Sequence, residues 1–196
     1  MKKAKVVKVF ESNGDVVTFR YPRYADHEAL MVMRNSLVKQ KAFIGQRKVT
    51  LNEARGHMLS SLRNIKEKTS VVLVVEIDGR VVGKASVSKV PKSRIYKEPK
   101  ASYHRRVRIA EYWLGIFLAS SAQGRGIGKK LMQAVIDEAK NVLKVRRIFL
   151  GVFAANHRAR SLYHKMGFVQ MGRKGKGKKK HHGVFRYGLC MAMSLQ

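Results

Sequence analysis

The segment from Leu114 to Ala139 constrains the fold more than any other part of the chain. It opens with the apolar run 114–119, whose branched and aromatic residues are typical of a buried strand. Glycines then occupy positions 124, 126 and 128. Beyond them, apolar residues recur every third or fourth position, which predicts a helix with one buried face. That face comprises Ile127, Leu131, Met132, Val135, Ile136 and Ala139.

A strand, a glycine loop and a helix in this order predict a site for a phosphate. Backbone N–H groups at a helix N-terminus have no partner within the helix, and the helix dipole favours an anion there. Glycine lets the main chain approach the anion without a Cβ atom between them. Arg125, Lys129 and Lys130 add positive charge to the same segment.

The spacing of the glycines excludes two common phosphate loops. A Walker A loop would need glycine at Gln123 and serine or threonine at Lys130. A dinucleotide fingerprint would need its third glycine at Lys129. The remaining pattern, Gln-x-x-Gly-x-Gly over residues 123–128, resembles the acyl-CoA pyrophosphate loop of the GCN5-related N-acetyltransferase (GNAT) family.

A second stretch, residues 156–168, resembles the other cofactor motif of that family. Asn156 is a good helix N-cap, and Gly167 suits the left-handed residue that ends a helix. Between them Tyr163 lies on an apolar helix face, and Phe168 follows the glycine. The resemblance covers residues 70–170 well and the rest of the chain only in outline.

The resemblance implies an α/β (α+β) fold with a mixed, mostly antiparallel sheet of about seven strands and about four helices. It also implies acetyl-CoA as cosubstrate, with the pantetheine arm along the strand and the pyrophosphate on the loop. The implied cofactor-binding residues are Ile116, Phe117, Leu118, Gln123, Gly124, Arg125, Gly126, Ile127, Gly128, Lys129, Asn156 and Tyr163. A backbone N–H near Leu118 would polarise the thioester carbonyl.

The resemblance assigns Tyr163 the protonation of the leaving thiolate, although a tyrosine on an apolar helix face is by itself typical of a core. The general base stays open. Some relatives carry a carboxylate where Trp113 stands, and Glu111, on the same strand face, is the candidate here. Glu111 could equally form an ion pair with a neighbouring arginine, and His104 or a water molecule is the alternative base. The histidines lack metal-ligand spacing, so no metal is predicted.

The charge is the most unusual property of the composition. Forty-two Lys and Arg oppose 12 Asp and Glu, giving a net charge of +30, and no acidic residue follows Glu138. The excess either serves solubility alone or marks an acidic partner such as RNA or a ribonucleoprotein. No segment is apolar enough to span a membrane or to act as a signal peptide, so a cytoplasmic protein is expected. The single cysteine, Cys190, has apolar neighbours and is interpreted as a buried strand residue rather than a nucleophile.

Taken in order, the chain predicts a single domain over residues 1–196. Residues 1–15 are basic and either pair with residues 16–21 or lack regular structure. Helices are expected over 27–39 and from the capping box at Thr50 and Glu53, whose apolar face includes Leu51. Asp78-Gly79 predicts a tight hairpin turn, and further strands are expected over 107–118, 146–153, 168–172 and 189–195. Residues 91–104 form a long loop beside the expected active site. Residues 173–183 form a basic loop, which is either solvated or contacts phosphate groups.

The sequence therefore predicts an N-acetyltransferase that uses acetyl-CoA on a primary amine, active as a monomer or homodimer. The acceptor is open between a protein N-terminus, a lysine and a small amine. The alternative is a CoA-binding module, or an RNA- or ribosome-associated protein, in which the basic surface is the function.

Overall fold

The computed structural model describes residues 4–40, 42, 47–90, 112–173, 179–181, 184–186 and 188–195. The strands are β1 (Val6–Ser12), β2 (Asp15–Arg20), β3 (Ser70–Ile77), β4 (Arg80–Lys89), β5 (Tyr112–Leu118), β6 (Arg147–Phe153), β7 (Val169–Arg173), β8 (Lys179–His181), β9 (Val184–Arg186) and β10 (Gly188–Ser194). The helices are α1 (Asp26–Lys39), α2 (Leu51–Lys66), α3 (Ile127–Leu143) and α4 (His157–Lys165).

Eight of these strands form one hydrogen-bonded sheet, in the order β1-β2-β3-β4-β5-β6-β10-β7. The pairing of β5 with β6 is parallel, whereas β1–β2, β2–β3, β6–β10 and β7–β10 are antiparallel. The predicted fold class, a mixed and mostly antiparallel sheet with four helices, is confirmed. The sheet has one strand more than expected because the N-terminal segment contributes two. The last strand, β10, lies between β6 and β7, which leaves the short β7 at the edge.

The chain divides into two compact units, residues 1–87 with 115–144 and residues 88–114 with 145–196. The single domain expected over residues 1–196 stays a prediction. The long loop 91–104, together with Glu111 and His104, lies outside the described residues.

In the first unit, β3 supplies the centre of the core, and residues 70–75 are all buried. Such continuous burial fits a strand that has helices on both faces. Val74 packs with Leu30, Met33 and Met58, which come from α1 and α2. The face of α3 that the sequence predicted is confirmed, since its six residues are at most 2% exposed.

Local signals fix where the elements of this unit begin and turn. Thr50 and Glu53 form the predicted capping box at the start of α2. Leu51, expected on the apolar face of that helix, is exposed instead because it occupies the first helical position. Two hairpin turns have consecutive residues with positive φ, as a type I′ turn requires: Asn13-Gly14 and Asp78-Gly79. Of the alternatives for residues 1–15, the structure has the strand pairing of β1 with β2.

In the second unit, β10 pairs along its whole length with β6, so that Cys190 faces Gly151. Cys190 lies on a strand, as predicted, but it is only partly buried, whereas a buried position was expected. The core of this unit is apolar and includes Ile148, Leu150, Phe168 and Met191. Within the predicted basic loop 173–183, Lys179–His181 form a short antiparallel hairpin with Val184–Arg186. Lysine-rich segments have low strand propensity, so the sequence carried no signal for this hairpin.

Candidate functional site

The glycine loop of the first unit connects β5 to α3. After β5 ends at Leu118, a 3-10 turn leads to Gln123, and α3 begins at Ile127. Gly124 and Gly126 have φ values of +86° and +73°, which glycine adopts without strain. Gly126 is the N-cap of α3 and no side chain caps this helix end. The first turn of α3 therefore presents N–H groups that an anion can accept from.

The surroundings of Gly126, the N-cap of α3, are open. Among the described residues, a Cβ atom added to Gly126 would meet nothing within 4 Å beyond the adjacent main chain. Gln123 fastens the loop to the strand, because its side-chain amide donates a hydrogen bond to the carbonyl of Leu118 at 3.0 Å. The loop thus has a glycine-specific conformation and is exposed at Gly126, so that a phosphate group could approach its main chain.

The basic side chains around the loop are less available than their sequence positions suggest. The guanidinium of Arg125 forms an ion pair with Asp15 at 2.7 Å and also donates to the carbonyl of Ser12, both in the β1–β2 hairpin. The ammonium of Lys130 lies 4.1 Å from the ring centroid of Phe10 on β1. Lys129 is exposed. No sequence pattern indicates the contact between Arg125 and Asp15, since the two residues are 110 positions apart.

The C-terminal end of β5, just before the glycine loop, has side chains that are buried or partly buried. Leu118 is buried, and Ile116 and Phe117 are partly buried. On β4, Gly83 makes room for this strand: a Cβ atom there would lie 2.3 Å from the Leu118 side chain and 3.1 Å from the Phe117 carbonyl oxygen. A larger residue at position 83 would force the Leu118 side chain to move and would crowd the Phe117 carbonyl oxygen.

The second motif builds α4 in the second unit as the sequence predicted. The side chain of Asn156 accepts a hydrogen bond from the Ala159 N–H at 3.1 Å, which caps the helix. At the other end, Phe168 donates to the Tyr163 carbonyl and Gly167 donates to the His164 carbonyl. This is the Schellman arrangement, and Gly167 has the positive φ that it needs.

Tyr163 combines burial with a strongly perturbed hydroxyl. Its side chain is 8% exposed and lies 6.1 Å from Phe168, measured between ring centroids. Burial raises the pKa of the Tyr163 hydroxyl to about 12, because the phenolate would lose its solvation. The hydroxyl therefore holds its proton over the physiological pH range, as a proton donor must.

The remaining observations concern Trp113, metal ligands and membrane-spanning helices. Trp113, which stands where some relatives carry a carboxylate, stacks on Phe149 with ring centroids 5.9 Å apart. Among the described residues, no group of three His, Cys, Asp or Glu side chains could hold a metal ion. No helix in the described ranges combines the length and apolarity that crossing a membrane requires.

Comparison with known proteins identifies a family and several relatives that align with only part of the chain. A sequence model of the acetyltransferase (GNAT) family matches residues 42–168. The spermine/spermidine N(1)-acetyltransferase of Bacillus subtilis (strain 168) is 39% identical over 57 residues, which are 29% of this chain and 38% of that protein. The L-amino acid N-acetyltransferase AaaT of Escherichia coli (strain K12) is 36% identical over 96 residues, 49% of this chain and 51% of that protein. The alignments thus span about half the length of these relatives or less.

Solved structures resemble the chain over nearly its whole length. A putative acetyltransferase from Salmonella typhimurium, in a structure with its cofactor acetyl-CoA, has a TM-score of 0.71 at 23% identity, covering 92% of this chain and 94% of that one. A ribosomal-protein-alanine N-acetyltransferase from Brucella melitensis has a TM-score of 0.69 at 28% identity, with 90% and 99% covered.

Proposed function

Because the chain belongs to the acetyltransferase (GNAT) family, we propose that it transfers an acetyl group from acetyl-CoA to a primary amine, which attacks the thioester directly. The resemblance drawn from residues 123–128 and 156–168 is confirmed, since the family match includes both motifs. One observation carries the proposal: the glycine loop keeps a left-handed, uncapped N-terminus on α3 with open space at Gly126.

In this proposal the main chain of residues 123–129 binds the pyrophosphate of acetyl-CoA. Gly124, Gly126 and Gly128 allow the close approach, and the first turn of α3 donates N–H groups. Arg125 contributes its main chain, because its guanidinium already neutralises Asp15. The pantetheine arm lies along Ile116, Phe117 and Leu118. The related Salmonella structure, which contains acetyl-CoA, supports this choice of cosubstrate.

Tyr163 is the proposed acid that protonates the leaving thiolate of CoA. Two features support the role: the hydroxyl stays protonated, and Tyr163 matches the tyrosine of the family motif between Asn156 and Gly167. General acid catalysis of this kind contributes about 10²- to 10⁴-fold to a rate. Asn156 caps α4 and is proposed to contact the cofactor arm as well. For the amine proton, Glu111, His104 and water remain the candidate acceptors.

The acceptor is an amine whose class the relatives leave open. They include enzymes named for polyamines, for L-amino acids and for the alanine of a ribosomal protein. The net charge of +30 would repel a polyamine unless the pocket opposes it, and it would attract an acidic macromolecule. The basic surface is therefore proposed as a contact for RNA or a ribonucleoprotein, with the acetyl acceptor either there or among small molecules.

The experiment that tests the function is an acetyl-transfer screen over amines, read as release of free CoA thiol. Peptides with free N-termini, lysine peptides, L-amino acids and polyamines serve as acceptors, and mass spectrometry identifies an acetylated product. Thiol release that depends on an amine supports the transferase. Acetyl-CoA binding without transfer to any amine would instead favour the binding module, and absence of acetyl-CoA binding would contradict both.

A further inference from the structure

Lys84 is a partly buried lysine of the first unit, and its charge has no partner among the described residues. It lies on β4 between Gly83 and Ala85, both buried, and its own side chain is partly buried. In the part of the chain that the structure describes, no hydrogen bond or ion pair engages its ammonium group. By contrast, the guanidinium groups of Arg20 and Arg125 in the same unit each hold a carboxylate.

The position of Lys84 connects this charge to the proposed acetyl-CoA site. Next to it, the close approach of Gly83 brings β4 against the Leu118 side chain and the Phe117 carbonyl. Two residues further along β4, the hydroxyl oxygen of Ser86 lies 3.8 Å from the Cβ position of Gly115. Lys84 therefore lies between two contacts of β4 with β5, alongside the strand that is proposed to hold the thioester.

A partly buried ammonium group is stabilised by a counter-charge. Burial of an unpaired ammonium costs free energy, and it lowers the pKa of Lys84 below the ordinary value of lysine. The side chain of Lys84 is partly rather than fully buried, so a ligand can still reach it. Three carboxylates of this unit are engaged by other cations: Asp26 and Glu76 bind Arg20, and Asp15 binds Arg125.

We propose that Lys84 binds a carboxylate of the acetyl acceptor, so that the acceptor is an amine with an acidic group, of the α-amino acid class, rather than a polyamine. The inference rests on the proposed function. An α-amino acid would bring the counter-charge that Lys84 lacks among the described residues. Its amine would be one carbon atom away from the carboxylate that contacts Lys84. A polyamine would bring a second cation to the same place, which like-charge repulsion disfavours.

The test compares L-amino acids with their primary amides, which keep the amine and the side chain but lose the carboxylate. Wild-type protein should show a kcat/KM for the preferred amino acid about tenfold or more above that for its amide, as expected of a contact between charged groups. Lys84→Met should remove this preference through a higher KM for the amino acid, with the amide unaffected. Lys84→Arg should retain it in part. Lys89→Met, an exposed lysine on the same strand, is the matched control and should change nothing.

Two measurements keep failures apart. Calorimetric titration with acetyl-CoA should give the same Kd for Lys84→Met and wild type, which shows that the variant folds and binds the cosubstrate. If Lys84→Met keeps the wild-type preference, or if wild type acetylates spermidine and no amino acid, the carboxylate contact is refuted while the transferase stands. If no amine is acetylated, amino acids are titrated into the CoA-saturated protein: binding that depends on Lys84 supports the inference without the proposed reaction, and no binding overturns it.

Discussion

Replacing Gly126 with alanine separates the backbone strain of the glycine loop from its role in binding. Gly126 has φ +73° and open space around its Cβ position, so the variant adds strain but no clash within the protein. Gly79, in the β3–β4 turn, has φ +77° and equally open surroundings. Gly79→Ala is therefore a control with the same backbone cost at a distance from the loop along the chain.

The structure sets the expected size of both effects. Alanine in the left-handed region costs about 1–2 kcal/mol, and for a chain of this size each kcal/mol lowers Tm by about 2–4 °C. Both variants should therefore lose about 2–8 °C. Only Gly126→Ala should weaken acetyl-CoA binding, because its methyl group occupies the space proposed for the pyrophosphate. Loss of one hydrogen bond to a charged phosphate, about 1.5–3 kcal/mol, corresponds to about 10- to 150-fold in Kd.

Differential scanning calorimetry measures the stability of the two variants, and isothermal titration with acetyl-CoA measures their affinity. Equal losses of Tm together with a selective loss of affinity in Gly126→Ala would support the phosphate site. Wild-type affinity in Gly126→Ala would refute it, since a methyl group would then be tolerated where the phosphate is proposed to lie. A parallel loss of affinity in Gly79→Ala would attribute the effect to general destabilisation.

Three further predictions concern the core, the proposed acid and the charge. Asp26→Asn leaves the buried Arg20 with Glu76 alone and should lower the free energy of unfolding, measured in urea, by about 3 kcal/mol. Glu28→Gln, at an exposed position of the same helix, should lower it little; equal losses would contradict the importance of the buried pair. Tyr163→Phe should lower kcat about 100-fold where chemistry limits the rate. Because burial raises the Tyr163 pKa to about 12, the kcat of the wild type should show no loss from Tyr163 ionisation below pH 10. Its stability contribution should likewise be complete below pH 10 and fall as the pH approaches 12; a wild-type kcat in Tyr163→Phe would return Tyr163 to a purely structural role. Gln in place of Lys174, Lys176, Lys178, Lys179 and Lys180 should flatten a log–log salt slope of about −0.7 per RNA phosphate; a flat slope in the wild type would leave the charge without an RNA partner.

The sequence predicted best the features that local chemistry determines. The glycine spacing, the apolar period of α3 and the caps of α2 and α4 are all encoded within a few residues of where they act. Gly167 illustrates this, because a single residue without a Cβ both ends α4 and permits the hydrogen bond of Phe168 to Tyr163. Such signals need no knowledge of the distant chain.

Contacts between distant segments could not be predicted in the same way. The side-chain charge of Arg125 was expected to serve a phosphate, but it is paired with Asp15 across 110 positions. Lys84 carried no signal, since a single lysine in a strand is usually solvated. Only the structure shows that it is partly buried and has no counter-charge among the described residues. The position of β10 between β6 and β7 likewise depends on the whole sheet rather than on the residues of β10.

These contacts change what the large positive charge means for the site. Two of the basic side chains next to the glycine loop, Arg125 and Lys130, are engaged by the β1–β2 hairpin through Asp15 and Phe10. What remains for an anion at the first turn of α3 is the exposed Lys129 and the main chain, whose N–H groups act at contact distance and depend on the conformation that glycine permits. The charge of +30 belongs to the whole chain and does not by itself predict cosubstrate binding. We therefore expect the conformation of Gly126 to matter more for the proposed pyrophosphate site than the net charge, and the charge excess needs a separate explanation at the surface.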